Sequence, residues 1–333
     1  MGCNLAVAGV TGAVGQEFLK ILEQRDFPFD SLKVLASSRS AGKKMEFKGK
    51  EYIIEQLTEN SFTRIDIALF SAGGARSKQF APAAVKAGAV VVDNSSAFRM
   101  DPDTPLVIPE INPQKIREHK GIIANPNCST IIGIVPVWPL HKANPVKRMV
   151  VSTYQAASGA GYSAMVELEE QSREILDGKK PTCKVFPYQI AFNVFSHNSA
   201  LGPNGYNEEE TKMIKETRKI FDCPDIEITC TCIRVPVFRA HCESINLEFT
   251  DPITPDQVRD LLSTAPGVSL IDDRKNNRFP MPIDATGKDD IFVGRIRQDE
   301  SVPENRGINI WVAGDQLRKG AALNAIQIAE KLL

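Results

Sequence analysis

The residue with the clearest chemical potential is Cys128, in the run Asn125-Pro126-Asn127-Cys128-Ser129-Thr130. The run follows a short apolar segment and precedes an apolar stretch of helical length, so Cys128 is expected at a helix N-terminus. The unpaired amides and positive dipole end there stabilise a thiolate, the form that attacks carbonyl carbon. A buried structural cysteine is the competing reading. Ser129 and Thr130 are weaker nucleophile candidates, because no Gly-x-Ser-x-Gly elbow surrounds them. Of the four histidines, His241 has the most suggestive neighbours, in Ile233-Arg234-Val235-Pro236-Val237-Phe238-Arg239-Ala240-His241-Cys242. A histidine can move protons at a thiol or carbonyl near neutral pH, and Arg234 can fork onto a carboxylate. His119 and His141 read as surface or helix-end residues, and His197 lies in a long loop with no role evident from its neighbours. Cys230, Cys232, His241 and Cys242 resemble a ligand list, yet no spacing matches a zinc pattern, and no metal is expected. Neither these cysteines nor Cys183 and Cys223 acquire a role from sequence.

A second cluster is built for phosphate. Gly9-Val10-Thr11-Gly12-Ala13-Val14-Gly15 follows an apolar run and opens a helical one. Glycines at such a junction let the backbone approach a pyrophosphate, while the helix N-terminus supplies donors. The spacing is G-x-x-G-x-x-G rather than the usual G-x-G-x-x-G, and a plain strand-to-helix turn is the alternative. Gly9, Thr11, Gly12, Ala13 and Val14 are therefore the expected cofactor contacts, with Ala72 and Asn94 at the ends of later strands. The second strand ends in Ser37-Ser38-Arg39-Ser40, where an NAD site usually carries an acid for the ribose hydroxyls. Ser37, Arg39 and Ser40 favour the extra phosphate of NADP.

The elements that must position these groups alternate through the first third of the chain. Strands are expected over residues 3–10, 32–38, 65–72, 89–92 and 122–124, with helices over 14–25 and 78–87. That order predicts an α/β, Rossmann-type doubly wound parallel sheet with ligands at the carboxyl ends of its strands. Beyond residue 147 the pattern changes. It reads as a strand (148–155), an amphipathic helix (163–176), a long Pro-, Asn- and Ser-rich loop (181–206) and a helix (208–220). Two β-rich runs around Pro236 follow, expected to be antiparallel strands joined at a bend, then strands at 291–297 and 308–313. This is an α+β domain with a mixed sheet. Residues 1–127 with 314–333 are expected as the dinucleotide domain, and 128–313 as the catalytic and dimerisation domain. The chain has 333 residues, 42% hydrophobic and 24% charged, with a net charge of −1. That balance argues against a nucleic-acid or acidic-membrane binder, and no apolar run is long enough to span a bilayer. An odd count of seven cysteines in a chain of this size suggests free thiols, and no secretory leader is evident, so a cytoplasmic location is expected.

Taken together, five motifs resemble the aspartate-semialdehyde dehydrogenase family. They are Thr11-Gly12-Ala13-Val14-Gly15, Asn125-Pro126-Asn127-Cys128-Ser129-Thr130, Gln155-Ala156-Ala157-Ser158-Gly159-Ala160-Gly161, Arg234-Val235-Pro236-Val237 with His241, and Leu317-Arg318-Lys319-Gly320-Ala321-Ala322. They occur in the family's order and span nearly the whole chain. The resemblance implies Cys128 as acyl-thioester nucleophile, His241 as acid/base and Gln155 as the residue orienting substrate and intermediate. It further implies Arg234 on the substrate α-carboxylate and Glu209 on its ammonium, with Lys212, Arg99 and Asn127 on phosphate. Without the family match, Glu209 and Lys212 would read as an ordinary helix ion pair and Arg99 as a surface residue. Ser158, Gly159 and Gln316 would touch the cofactor, although many family members have asparagine at the position of Gln316. The implied reaction is the reversible, NADPH-dependent conversion of L-aspartyl 4-phosphate to L-aspartate 4-semialdehyde. It belongs to lysine, threonine, methionine and isoleucine synthesis and is carried out by a homodimer, with a tetramer the alternative. N-acetyl-γ-glutamyl-phosphate reductase is the nearest rival, but that family usually has glycine before its cysteine and tyrosine after it, where this chain has Asn127 and Ser129. The Ser-Cys-Thr-Thr-Asn motif of glyceraldehyde-phosphate dehydrogenases is absent. A non-catalytic paralogue would tend to have lost the nucleophile.

Overall fold

A computed structural model describes residues 2–333. The chain divides into two compact units, 2–127 with Ala321–Leu333, and Cys128–Gly320. The expected return to the first unit at 314 instead falls at 321, because Gly314 ends a strand of the second unit's sheet and residues 315–320 hydrogen-bond within that unit.

The first unit contains β1 (Cys3–Ala8), α1 (Ala13–Gln24), β2 (Phe29–Ala36), β3 (Lys44–Phe47), β4 (Lys50–Ile53), β5 (Glu55–Gln56), β6 (Ile67–Phe70), α2 (Gly74–Lys86), β7 (Val90–Asp93) and β8 (Ile122–Ala124). Its six-stranded sheet runs β5-β2-β1-β6-β7-β8 and is parallel throughout. The strands read as near-continuous apolar runs because both faces are covered, and β1, β6 and most of β7 are buried. Strand order reverses between β1 and β6, so their carboxyl ends, at Gly9 and Ala72, flank the crevice such sheets offer to ligands. The C-terminal helix Leu323–Glu330 packs on this unit's core through Leu323, Ile326 and Ile328. The β3–β4 hairpin, joined by Lys48-Gly49, has no counterpart among the expected elements.

The second unit comprises α3 (Cys128–Ala143), β9 (Val146–Gln155), α4 (Tyr162–Leu176), β10 (Phe195–Ser196), α5 (Glu208–Phe221), β11 (Glu227–Arg234), β12 (His241–Phe249), α6 (Pro255–Ser263), β13 (Val268–Leu270), α7 (Pro282–Ala285), β14 (Ile291–Gln298) and β15 (Gly307–Gly314). Its mixed sheet runs β10-β11-β9-β12-β15-β14-β13. The two runs around Pro236 are strands, as expected, but they are not partners. β11 lies parallel to one side of β9 and β12 antiparallel to the other. A bend at Val235–Ala240 carries the chain past the end of β9, and this places the ends of β9 and β11 beside the start of β12. Helix α5 starts at a capping box in which Asn207 and Glu210 satisfy each other's orphan amides. The 181–206 segment is largely irregular but anchored. Buried Glu167 accepts the amides of Lys184, Val185 and Phe186, and the Gln171 side-chain oxygen accepts those of Ile190 and Ala191. Among the described residues no helix is long and apolar enough to cross a membrane.

Candidate active site

Cys128 is the first residue of α3, as the sequence pattern predicts, and is half-buried. Its Sγ lies 3.7 Å from His241 Nε2. The backbone amide of Ala156 donates to His241 Nδ1 at 3.0 Å. An amide cannot accept, so neutral His241 must carry its proton on Nε2, the nitrogen facing the sulfur. Complete burial, and then the charge of Arg234, push His241 down to about 3 and keep it neutral at working pH. The residue before it, Ala240, sits at φ 72° and is held there as its amide donates to Gln316 Oε1 at 2.9 Å. A non-glycine residue in this region stores strain that its surroundings must overcome.

Sheet register gathers the other groups. Gln155, at the end of β9, pairs with Arg234 at the end of β11. His241, one step beyond the Cys242–Tyr154 pair, comes level with Gln155 from the other side. Gln155 Nε2 donates to Glu209 Oε1 at 3.2 Å and its Oε1 accepts from Thr153 Oγ1 at 3.0 Å. Glu209 Oε2 in turn meets Lys212 Nζ at 3.4 Å, so the expected helix-face pair exists, with the acid buried and the lysine partly exposed. Arg234 is 5% exposed, donates to the Ala156 carbonyl at 3.3 Å, and its Nη2 contacts His197 Nε2 at 2.8 Å. Gly159 makes room for this cluster, since a Cβ there would stand 2.9 Å from Arg234 Nη1 and 3.1 Å from His241 Nε2. Gly320 does the same over Cys128, with a hypothetical Cβ 3.0 Å from that of the cysteine. Ser158 and Gln316 are brought together, the amide of Gln316 donating to the serine hydroxyl.

In the first unit, Gly9 has φ 91° and a Cβ on it would lie 2.2 Å from the Ser71 carbonyl oxygen. A Cβ on Gly15 would lie equally close, 2.2 Å, to the Gly9 carbonyl. These two glycines let the loop fold tightly and let α1 pack against it. Gly12, the residue before α1, offers no side-chain cap, and the first turn contains no acid. Thr11 and Gly12 are exposed, and Ala13 and Val14 half-exposed. An uncapped helix start beneath a bare loop suits the phosphates of a dinucleotide. Ser37, Arg39 and Ser40 occupy the turn after β2, with Arg39 exposed and no acid among them. Arg99, readable from sequence as a surface residue, is instead buried. Its guanidinium holds the carbonyls of Asn125, at 2.9 Å, and Asn94, at 3.0 Å. Asn94 and Asn125 are joined side chain to side chain at 2.7 Å, and Asn127 is buried. The Asp93 carboxylate organises the turn by accepting from Ser77 Oγ and Ser95 Oγ.

Two residues near Gln155, Arg234 and His241 have no role in the sequence reading. His197 is one. The other is Glu243, fully buried two residues along β12 from His241 and hence on the same face of the strand. Neither of its oxygens has a hydrogen-bond donor, and burial, with Glu209 nearby, holds its carboxyl well above the usual range. The i, i+2 spacing from His241 is the one signal that could have marked it. Cys230 and Cys232 lie in the same buried region and are raised by desolvation. Among the described residues no group of three or more histidines, cysteines or acids could hold a metal.

Residues 4–119 match the family model described as semialdehyde dehydrogenase, NAD binding domain, and residues 137–319 the one described as semialdehyde dehydrogenase, dimerisation domain. The aspartate-semialdehyde dehydrogenase of Synechocystis sp. is 56% identical over 330 residues, covering 99% of this chain and 97% of the relative. That of Bacillus subtilis is 49% identical over 339 residues, covering 99% and 97%. The crystal structure of aspartate semialdehyde dehydrogenase II from Vibrio cholerae in complex with ASA superimposes with a TM-score of 0.96 at 46% identity, covering 100% of this chain and 98% of that one.

Proposed function

The chain belongs to the aspartate-semialdehyde dehydrogenase family, and we infer from that membership, together with the site just described, how its own residues carry out the family's oxidoreduction. The substrate pair is L-aspartyl 4-phosphate and L-aspartate 4-semialdehyde with phosphate, and Cys128 carries the acyl group. The observation that carries this reading is the Cys128–His241 contact at a helix N-terminus, with the imidazole proton on the nitrogen nearest sulfur.

In the reductive direction the Cys128 thiolate attacks the acyl phosphate carbonyl. The carbon–oxygen bond to phosphate then breaks, leaving a thioester. When bound, the reduced dinucleotide supplies a hydride to the thioester carbonyl. The resulting thiohemiacetal oxyanion expels the Cys128 thiolate and releases the semialdehyde. Thiolate enters and thiolate leaves, so the cycle asks for a hydrogen-bond donor at the charged atoms more than for a base. His241 Nε2–H is that donor, first to sulfur and then to the developing oxyanion. Gln155, held by Thr153 and Glu209, orients the acyl group. Arg234 binds the α-carboxylate and Glu209 the ammonium, while Arg99, Lys212 and Asn127 bind phosphate. Each substrate charge thereby meets an opposite one.

We assign NADP rather than NAD to the Gly9–Val14 loop, because the turn after β2 presents Arg39 with Ser37 and Ser40 and no acid. Ala72, Asn94, Ser158, Gly159 and Gln316 complete the proposed cofactor contacts. A homodimer is proposed from the dimerisation-domain match and from the aromatic pair Tyr154–Trp311, 5.3 Å apart on the outer face of the mixed sheet, where Tyr154 is 38% exposed. None of the seven cysteines is joined in a disulfide, in keeping with the proposed reducing, cytoplasmic setting. The deciding experiment is phosphate-dependent NADP reduction with aspartate semialdehyde, run on the wild type and Cys128→Ser. Activity is expected to fall at least about 1,000-fold while NADP binding persists. A serine variant of near-normal activity would overturn the assignment.

A further inference from the structure

Arg234 is a buried guanidinium whose held arms rest on uncharged acceptors. Nη1 donates to the Ala156 carbonyl, Nη2 lies 2.8 Å from His197 Nε2, and Nε has no partner. Among the described residues its hydrogen bonds reach no carboxylate, and Glu209 acts on it through its charge. A buried arginine left without a counter-ion costs stability unless an anion arrives to complete it, so its unspent charge marks a ligand site. A chain of hydrogen bonds leads away from it through His197. Guanidinium only donates, so His197 Nε2 must accept, and the neutral ring carries its proton on Nδ1. Nδ1 lies 3.0 Å from Ser199 Oγ, and that hydroxyl accepts the Glu209 amide at 3.2 Å. The Ser199 amide also points at Nδ1, at 3.2 Å, but the ring cannot accept at both nitrogens, and the charge-assisted bond from Arg234 is the stronger claim. Burial and Arg234 lower His197 to about 4, so it remains an acceptor at neutral pH. Its own place is fixed by the β10–β11 pairing, by its amide on the Cys232 carbonyl at 2.8 Å, and by Asn207 on its carbonyl at 3.4 Å.

We propose that His197 is a positioning residue for substrate recognition. It holds one arm of Arg234 without neutralising it and, through Ser199, sets the spacing between Arg234 and Glu209, the groups that read the carboxylate and ammonium of an α-amino acid. This rests on the Arg234 and Glu209 assignments made above. It explains why a histidine stands in an otherwise irregular segment. A lysine or arginine there would repel Arg234, and an acid would take up the charge needed by the substrate.

The test compares wild type, His197→Leu, His197→Gln and Arg234→Gln in the phosphate-dependent reduction of NADP. Two aldehydes are used: aspartate semialdehyde and 3-aminopropanal, the same molecule without its carboxylate. His197→Leu is expected to raise KM for aspartate semialdehyde about tenfold or more, as for loss of a hydrogen bond to a charged group, and to shrink the preference over 3-aminopropanal by a similar factor. KM for phosphate and NADP should stay within about twofold, a split that general damage to the fold would not produce. His197→Gln, whose amide oxygen can accept from Arg234, should recover most of the loss. Unchanged KM and preference in His197→Leu, or an equal rise in KM for all three substrates, overturns the proposal if Arg234→Gln loses the preference. If Arg234→Gln keeps it as well, the carboxylate assignment of Arg234 is what fails.

Discussion

Glu243→Gln isolates the effect of burying an acid with no donor. Both carboxyl oxygens of Glu243 lack a hydrogen-bond donor. The side chain is fully enclosed, with Oε2 so near Gly133 that a Cβ there would be 2.5 Å away. The titratable neighbours that act with it are Glu209, Cys230, Cys232 and Cys242, none of them a cation. Desolvation therefore dominates and the folded protein keeps Glu243 protonated. The unfolded chain releases that proton near pH 4.3, so each pH unit above this favours unfolding by about 1.4 kcal/mol until the folded value is passed. The sign follows from the raised folded value. The contribution is fully present below the unfolded value and is lost as pH rises. Glutamine removes the titration from both states. The stability difference, variant minus wild type, should thus climb as pH rises above the unfolded carboxyl's range, with a slope of up to about 1.4 kcal/mol per unit. Urea unfolding at several pH values and one fixed protein concentration measures it. Because the wild-type carboxyl is already neutral, the variant should keep its kcat within about threefold, whereas a charge there would act on the thiolate row. Parallel stability curves would refute the reasoning, because they would mean that Glu243 is ionised in the native protein.

Further outcomes follow from the same geometry. Arg39→Ala should raise KM for NADP about tenfold or more while leaving NAD unaffected, as read from paired kinetics; equal effects on both would remove Arg39 from the 2′-phosphate. Gly15→Ala forces a Cβ to within 2.2 Å of the Gly9 carbonyl, a backbone atom that cannot swing away. It should cost about 1–3 kcal/mol of stability and weaken dinucleotide binding in calorimetry. Wild-type NADP affinity in that variant would mean that the loop is not the cradle. Gly159→Ala presses on Arg234 and His241 together, at 2.9 and 3.1 Å, and should lower kcat/KM for aspartate semialdehyde about tenfold or more in steady-state kinetics; a wild-type value would mean that the pair tolerates the crowding.

Much of this protein is legible along the chain because the physics is local. A glycine-spaced loop before a helical run, a Cys128 that must begin a helix, and the Asn207 capping box each depend on residues within a turn or two of one another. The alternation of apolar strands and amphipathic helices likewise announces a parallel sheet before any contact is known. A dinucleotide-binding domain and a cysteine at a helix start are readable at that level. The pairing of strands is not. The strands around Pro236 run antiparallel and are joined at a bend, as the sequence suggests, yet β9, more than 70 residues earlier in the chain, lies between them. That insertion brings Gln155 between Arg234 and His241, and no periodicity encodes it. Burial is the other quantity the sequence withholds. Arg99, Glu243 and His197 look like ordinary polar residues until the fold removes their water, and only then do their charges and protons become decisive. The sequence therefore determined which chemistries were available. The long-range packing of the mixed sheet decided which side chains share a low-dielectric site, because desolvation and cross-strand register exist only once distant segments meet.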